Sequence, residues 1–185
     1  MNKKVLVTGV PGVGKTTLIR RVVEDVRAQG YSVGGMITQE FRREHVRVGF
    51  EILDLYTGAK GLLAHADLRN GRKVGKYGVD IKGLDDVGVR AIVDGLRRPE
   101  VDLLVVDEIG PMELLSAEFR SAVRQAVSGS KPFLGTVQLR LCTRIPEILG
   151  SGVMPRIIEL TRENRERQVQ TISKELLEAL TAQDG

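Results

Sequence analysis

A glycine-rich segment near the start of the chain has the residue types and spacing that bind phosphate groups. It matches the pattern G-x-x-x-x-G-K-[ST] and consists of Gly9, Val10, Pro11, Gly12, Val13, Gly14, Lys15 and Thr16. The glycines permit backbone angles that turn several N–H groups inward, and a helix beginning near Lys15 adds its positive end. The segment is therefore predicted to hold the phosphates of a nucleoside triphosphate.

The side chains of this loop differ in the chemistry they offer. The ammonium group of Lys15 is expected to reach the β- and γ-phosphates and to act in catalysis. The hydroxyl group of Thr16 is expected to coordinate Mg²⁺, which prefers oxygen ligands and keeps several waters. Thr17 either donates to the α-phosphate or is an ordinary exposed helix residue, and the sequence leaves both open.

Two adjacent carboxylates, Asp107 and Glu108, end an otherwise apolar run. Such a pair is costly at the end of a buried strand unless water or a metal ion meets it. Asp107 fits a Mg²⁺ ligand, acting through a bound water, and Glu108 fits a base that polarises the attacking water. The alternative is a strand that has simply reached the surface. Glu108 favours hydrolysis over transfer to a second substrate.

Apolar runs and helical periodicity predict the elements that position these residues. Strands are predicted at 4–8, 33–38, 102–107, 133–137 and 156–160, and helices at 15–29, 85–97, 116–127, 145–149 and from Thr161 onward. Because strands and helices alternate, we expect one α/β domain over residues 1–185 with a mainly parallel sheet. Ligands in such sheets bind at the carboxyl ends of the strands, where both motifs fall.

The stretch from about residue 40 to 79 has a different pattern. Apolar and polar residues alternate over 46–53, which is typical of a half-buried strand, and residues 61–66 can pair back as a hairpin. This stretch is predicted to be a small antiparallel β insertion in the domain.

The chain resembles the THEP1 family of nucleoside-triphosphatases over nearly its whole length. Besides the glycine-rich loop, the resemblance rests on Asp107-Glu108-Ile109-Gly110-Pro111-Met112-Glu113-Leu114, Thr38-Gln39-Glu40-Phe41-Arg42, Arg47-Val48-Gly49-Phe50-Glu51-Ile52, Val74-Gly75-Lys76-Tyr77-Gly78-Val79, Gly135-Thr136-Val137 and Glu163-Asn164-Arg165-Glu166. It implies a three-layer, RecA-like fold and slow Mg²⁺-dependent hydrolysis of ATP, GTP, CTP and UTP with little base selectivity. It also implies that Gly110 and Arg165 lie at the nucleotide.

Two positions depart from the pattern expected of this family. Pro111 stands where a lysine is expected, and Gln138 stands where a histidine is expected. Gln138 ends a strand that should lie between the acidic pair and the phosphate loop, so its amide could sense the γ-phosphate or the water. The segment 139–145 is less similar to the family, and no site is predicted there.

An arginine that stabilises the transition state would accelerate phosphoryl transfer. The candidates are Arg42, Arg43, Arg47 and Arg165, with Arg165 favoured as a residue that packs on the base or contacts phosphate. His45 and His65 lack partners at metal-ligand spacing, and Cys142 lacks a base, so all three are expected to be structural or surface residues.

Composition sets the broad class of protein. A 42% hydrophobic chain of 185 residues with one cysteine and no long apolar run is expected to be a cytoplasmic monomer without a membrane span or disulfide. The net charge of +4 without a Lys/Arg run longer than two residues makes nucleic acid an unlikely partner.

Two other functions remain open from the sequence. A small nucleoside or nucleotide kinase would share the phosphate loop and could use arginines of the insertion as a lid. A nucleotide-controlled binding module, such as a GTPase switch or a nucleic-acid-associated ATPase, is the second; a GTPase needs an N-K-x-D guanine reader, which the chain lacks.

Overall fold

The computed structural model describes residues 4–150, 152 and 154–182. The strands are β1 Lys4–Thr8, β2 Val33–Arg43, β3 Val46–Asp54, β4 Lys60–His65, β5 Lys73–Val74, β6 Tyr77–Val79, β7 Leu103–Ile109, β8 Phe133–Val137 and β9 Arg156–Glu159. The helices are α1 Lys15–Ala28, α2 Ile81–Gly83, α3 Arg90–Arg97, α4 Ala117–Ser128, α5 Ile145–Leu149 and α6 Arg165–Thr181. A wide helical turn over Leu84–Val89 joins α2 to α3, and 3₁₀ turns cover Glu113–Leu115 and Leu139–Arg144.

Within those ranges, nine strands form one sheet in the order β5-β6-β4-β3-β2-β7-β8-β1-β9. The pairs β2–β7, β7–β8, β8–β1 and β1–β9 are parallel, whereas β2–β3, β3–β4, β4–β6 and β6–β5 are antiparallel. The α/β class is confirmed, but the expectation of a mainly parallel sheet is wrong because the sheet is mixed.

Strand β2 joins the parallel and antiparallel halves of the sheet. Its first part pairs with β7 as far as Ile37, opposite Asp107, and its whole second part pairs with β3. The alternating pattern found in the sequence from Val46 marks this antiparallel half, and the pairing of β4 with β3 confirms the hairpin. The predicted second strand ended too early, at residue 38, because the polar residues that follow still pair with β3 but are largely exposed once the pairing with β7 has ended.

Helices cover both faces of the sheet and give it two apolar cores. Val5 and Val7 of β1 face α1 and α6, whereas Leu6 faces the core shared with α3, α4 and α5. Buried strands therefore read as continuous apolar runs, since each face of the parallel half is covered. In the described part of the chain, no helix is long and apolar enough to cross a bilayer.

The last helix begins later than the sequence indicated. Thr161 was expected to cap it, but α6 begins at Arg165 and Asn164 is the residue before it. The side chain of Asn164 accepts a hydrogen bond from the Thr161 amide at 2.8 Å and donates to the Glu159 carbonyl at 2.9 Å. The Thr161 hydroxyl also accepts a hydrogen bond from the Asn164 amide at 3.3 Å, so Thr161 caps the turn that leads into α6 rather than the first turn of the helix itself.

Gly35 lets β2 approach the strand that carries Asp107. Its φ is +98°, and a Cβ atom there would lie 2.0 Å from the carbonyl oxygen of Val105 in β7. Gly58 has a similar φ of +76°, but a Cβ there would meet nothing within 4 Å. The two glycines therefore share a positive φ, which would strain any other residue, and differ in what a side chain would contact.

We expect Gly35→Ala to lower the free energy of unfolding by on the order of 3–5 kcal/mol, since strain and a backbone clash add. Gly58→Ala, the matched control, should cost only about 1–2 kcal/mol from the left-handed backbone. Urea unfolding of both variants measures the difference. Equal losses would show that the contact with β7 is not the constraint.

Candidate functional site

The parallel half of the sheet brings the motifs together at the carboxyl ends of its strands. The glycine-rich loop follows β1, the acidic pair lies at the end of β7, and Gln138 follows β8, which lies between those two strands. The hydroxyl group of Thr8 donates to the carbonyl oxygen of Val137 at 3.0 Å and ties the ends of β1 and β8 together. Chemical groups that are far apart along the chain thus meet at the carboxyl ends of adjacent strands.

The loop is shaped by its glycines. Gly9, Gly12 and Gly14 have φ values of +146°, +76° and +109°. A Cβ at Gly9 would lie 2.7 Å from the carbonyl oxygen of Leu160, so the loop packs against the segment after β9. Gly14 precedes α1 and has no side chain to cap the helix. The backbone N–H groups of the first turn of α1 are therefore left to bind an anion.

The predicted loop residues differ in exposure. Val10, Pro11, Gly12 and Thr17 are exposed, whereas Val13 is buried in the core against α1. Lys15 is half-buried, and its ammonium group donates to the carbonyl oxygen of Gly9 at 3.1 Å. The lysine therefore lies across the loop it belongs to. The exposure of Thr17 is compatible with either of the roles left open for it.

Asp107 is buried at the end of β7, with only 1% of its surface exposed. Its Oδ1 accepts a hydrogen bond from the Thr136 hydroxyl at 2.5 Å, and among the described residues Oδ2 has no hydrogen-bond partner. Burial raises the pKa of Asp107 to about 6, and the hydroxyls of Thr136 and Thr16 and the ammonium of Lys15 oppose this rise. Thr16 and Lys15 of the loop are thus close to Asp107.

This donor set fits a small, hard cation. A buried carboxylate oxygen without a protein donor, close to a threonine hydroxyl, is an oxygen-rich environment of the kind Mg²⁺ prefers. Over the described ranges, no group of three or more His, Cys, Asp or Glu side chains could hold a metal by itself. A cation held by Thr16 and Asp107 would therefore need further oxygens from phosphate or water.

Glu108 lies beside Asp107 and is only half-buried. Its Oε1 accepts a hydrogen bond from the Gln138 amide nitrogen at 2.8 Å. The Gln138 amide oxygen accepts in turn from Nε of Arg140 at 3.1 Å. Gln138 therefore contacts the second carboxylate of the pair. Arg140 lies in the segment 139–145, where no site was expected.

Glu113 is a further carboxylate whose position sequence reasoning missed. It is 4% exposed, and a Cβ on Gly110 would lie 2.7 Å from Oε2 of Glu113 and 3.1 Å from Oε1 of Glu108. Both carboxylates thus lie against the same glycine. Burial, followed by the charge of Glu108, raises the pKa of Glu113 to about 8. A glutamate in the apolar stretch after the acidic pair was the signal that could have revealed it.

The predicted arginines lie in two places. Arg165 begins α6, five positions after the Leu160 that packs on Gly9; its side chain is 54% exposed and its Nε lies 3.9 Å from Glu166. Arg42 and Arg47 are paired with Glu40 on the β2–β3 hairpin, at 2.6 and 2.9 Å. Arg43 is exposed on the same hairpin. Arg42 and Arg47 are therefore engaged within the hairpin itself.

Comparison with known proteins identifies the family. The family model described as NTPase matches residues 4–173. Nucleoside-triphosphatase THEP1 of Pyrococcus abyssi (strain GE5 / Orsay) is 42% identical over 174 residues, covering 94% of this chain and 92% of the relative. The chain belongs to the THEP1 family of nucleoside-triphosphatases. The resemblance inferred from the motifs is thereby confirmed.

Other relatives agree over the same length. THEP1 of Methanocaldococcus jannaschii is 38% identical over 178 residues, covering 96% of this chain and 99% of the relative. The crystal structure of THEP1 from Aquifex aeolicus matches with a TM-score of 0.74 at 31% identity, covering 94% of this chain and 98% of that one. The solution structure of a human cancer-related nucleoside triphosphatase matches with the same TM-score at 32% identity, covering 92% and 95%. The chain is thus an enzyme that hydrolyses nucleoside triphosphates.

The raised pKa of Glu113 predicts a pH-dependent stability. Between about pH 4.5 and 8 the folded state keeps a proton that the unfolded state has lost, so stability falls as pH rises across this window. Glu113→Gln removes this penalty. The difference in urea midpoint between Glu113→Gln and the native protein should therefore grow from pH 5 to pH 8 and level off above it.

The matched control is Glu118→Gln, which changes an exposed glutamate on α4. Its difference from the native protein should stay constant over the same pH range, in buffer without nucleotide or Mg²⁺. A constant difference for Glu113→Gln as well would contradict the burial of an uncompensated carboxyl at that position.

Proposed function

We propose that the protein hydrolyses the γ-phosphate of ATP, GTP, CTP and UTP in a Mg²⁺-dependent reaction with broad base tolerance. The observation that carries this proposal is the buried Oδ2 of Asp107, next to the phosphate loop, which has no hydrogen-bond partner among the described residues. Such an oxygen is costly in a folded protein unless a cation or donor meets it. A Mg²⁺–nucleotide brings both the cation and the substrate to it.

In this proposal each group at the carboxyl ends of the strands has one task. The amides of Gly9, Gly12 and Gly14 and the ammonium of Lys15 bind and orient the phosphates. Thr16 and Asp107 hold Mg²⁺, which supplies positive charge against the phosphate oxygens. Glu108 accepts a proton from the attacking water, because its carboxylate is adjacent to Asp107 and accessible to solvent.

The remaining predicted residues complete the nucleotide site. Gly110 leaves room for the carboxylates of Glu108 and Glu113, which a side chain would displace. Arg165 lies next to the segment that packs on Gly9, and we assign it contact with the base or the phosphates. Broad base tolerance is supported by the sequence Asn164-Arg165-Glu166-Arg167, which is not a guanine reader.

The oligomeric state and the cellular location of the enzyme are part of the same proposal. Because the loop, the acidic pair and Gln138 all come from one chain, we propose that it acts as a monomer. Its substrates and Mg²⁺ are abundant in the cytoplasm, where we place it. Nucleic acid has no part in the proposed reaction.

Phosphate release from the four nucleoside triphosphates tests the reaction. We expect release from all four, at rates within about tenfold of one another, which is the difference that one hydrogen bond to a base would produce. Chelation of Mg²⁺ should abolish it. Tight nucleotide binding without phosphate release would instead favour a kinase that lacks its acceptor or a switch that lacks its partner.

Glu108→Gln tests the assignment of the base. The amide cannot accept the proton, so kcat should fall by about 10²–10⁴-fold while the nucleotide dissociation constant stays the same. Glu24→Gln, an exposed change on α1, serves as the control and should keep the native rate. A Glu108→Gln enzyme with a normal kcat would remove Glu108 from the mechanism.

A further inference from the structure

Arg140, Gln138 and Glu108 form a chain of hydrogen bonds at the carboxyl end of β8. Nε of Arg140 donates to Oε1 of Gln138 at 3.1 Å, and Nε2 of Gln138 donates to Oε1 of Glu108 at 2.8 Å. Gln138 is half-buried and Arg140 is exposed. The chain thus runs from solvent to the carboxylate proposed as the base.

The order of donors and acceptors fixes the direction of the Gln138 amide. A guanidinium group only donates hydrogen bonds and a carboxylate only accepts them, whereas a primary amide has one end of each kind. Arg140 therefore takes the oxygen end of Gln138 and turns the NH₂ end toward Glu108. The opposite orientation would place the oxygen against the carboxylate and the NH₂ group against the guanidinium group.

In the part of the chain that the structure describes, Gln138 is the residue that donates a side-chain hydrogen bond to Glu108. Glu113 and Asp107 are both acidic, and Gly110 has no side chain. The charge of an ionised Asp107 favours a Glu108 carboxylate that turns away from it toward solvent. The hydrogen bond from Gln138 counters this and occupies Oε1, which leaves Oε2 to accept a proton from water.

We propose that Arg140 is a positioning residue that acts through Gln138 to hold the Glu108 carboxylate in the orientation for proton transfer. This role rests on the proposed function of Glu108 as the base. Over the described ranges, no hydrogen bond joins Arg140 to any side chain other than Gln138. The arginine therefore has a defined task at the site although its surroundings are exposed.

A double-mutant cycle measures whether Arg140 acts through Gln138. Gln138→Leu removes the donor, and kcat should fall about tenfold to a hundredfold, as expected when a catalytic group is misplaced. Arg140→Met should lower kcat roughly threefold to tenfold, which corresponds to one hydrogen bond. In the double variant kcat should equal that of Gln138→Leu, because Arg140 has nothing left to orient.

The KM for nucleotide should stay at the native value in all three variants, since the phosphate loop is unchanged. The matched control is Arg144→Met, in the same turn, where the guanidinium group pairs with Glu147 at 2.9 Å. It should keep the native kcat. Gln138→Glu is an isosteric second variant that keeps an acceptor for Arg140 but opposes Glu108, and it should lose at least as much kcat as Gln138→Leu.

Two results would overturn the role of Arg140. A native kcat in Arg140→Met would show that it is a solvated surface residue. Losses that multiply in the double variant would show that Arg140 acts independently of Gln138, for example on the phosphate itself. Glu108→Gln in the same assay distinguishes failure of this inference from failure of the proposed function. An inactive Glu108→Gln beside fully active Arg140 and Gln138 variants rejects only the positioning role of Arg140. An active Glu108→Gln rejects the role of Glu108 as the base.

Discussion

Asp107 keeps one carboxylate oxygen buried and unpartnered, within the described part of the chain, at the end of a strand that is otherwise apolar. An ionised carboxyl in such a place is costly, and the pKa of about 6 reflects that cost. Thr136 from β8 and the loop after β1 both favour the charged form. These groups can reach Asp107 because their strands lie side by side in the sheet. The site therefore depends on the strand order β7-β8-β1.

Two further acidic residues, Glu108 and Glu113, lie near Asp107. Glu108 and Glu113 lie against the same glycine, and the pKa of about 8 for Glu113 means that this carboxyl is mostly protonated near neutral pH. Lys15 is the cation of the loop that opposes this charge. We propose that this acidic cluster, with the Lys15 ammonium group nearby, binds a divalent cation together with its nucleotide. In the proposed mechanism the Gln138 amide orients Glu108, which is half-buried and remains open to water.

Local patterns in the sequence predicted the parts of the structure that depend on local interactions. The spacing from Gly9 to Thr16 and the apolar strands were foreseeable because neighbouring residues determine them. The mixed sheet was missed because β2 changes from parallel to antiparallel pairing within a single strand. The contacts of Glu113 and Arg140 were missed because they depend on how distant segments meet at the sheet edge, which periodicity does not encode.

A crystal structure with ADP, Mg²⁺ and aluminium fluoride, which mimics the transferring phosphoryl group, tests the central claim most directly. We expect Mg²⁺ to be held by the Thr16 hydroxyl and, directly or through water, by Asp107. We expect the Glu108 carboxylate to lie within hydrogen-bond distance of the in-line water. A metal ion that contacts neither Thr16 nor Asp107, or a Glu108 side chain turned away from that water, would contradict the account.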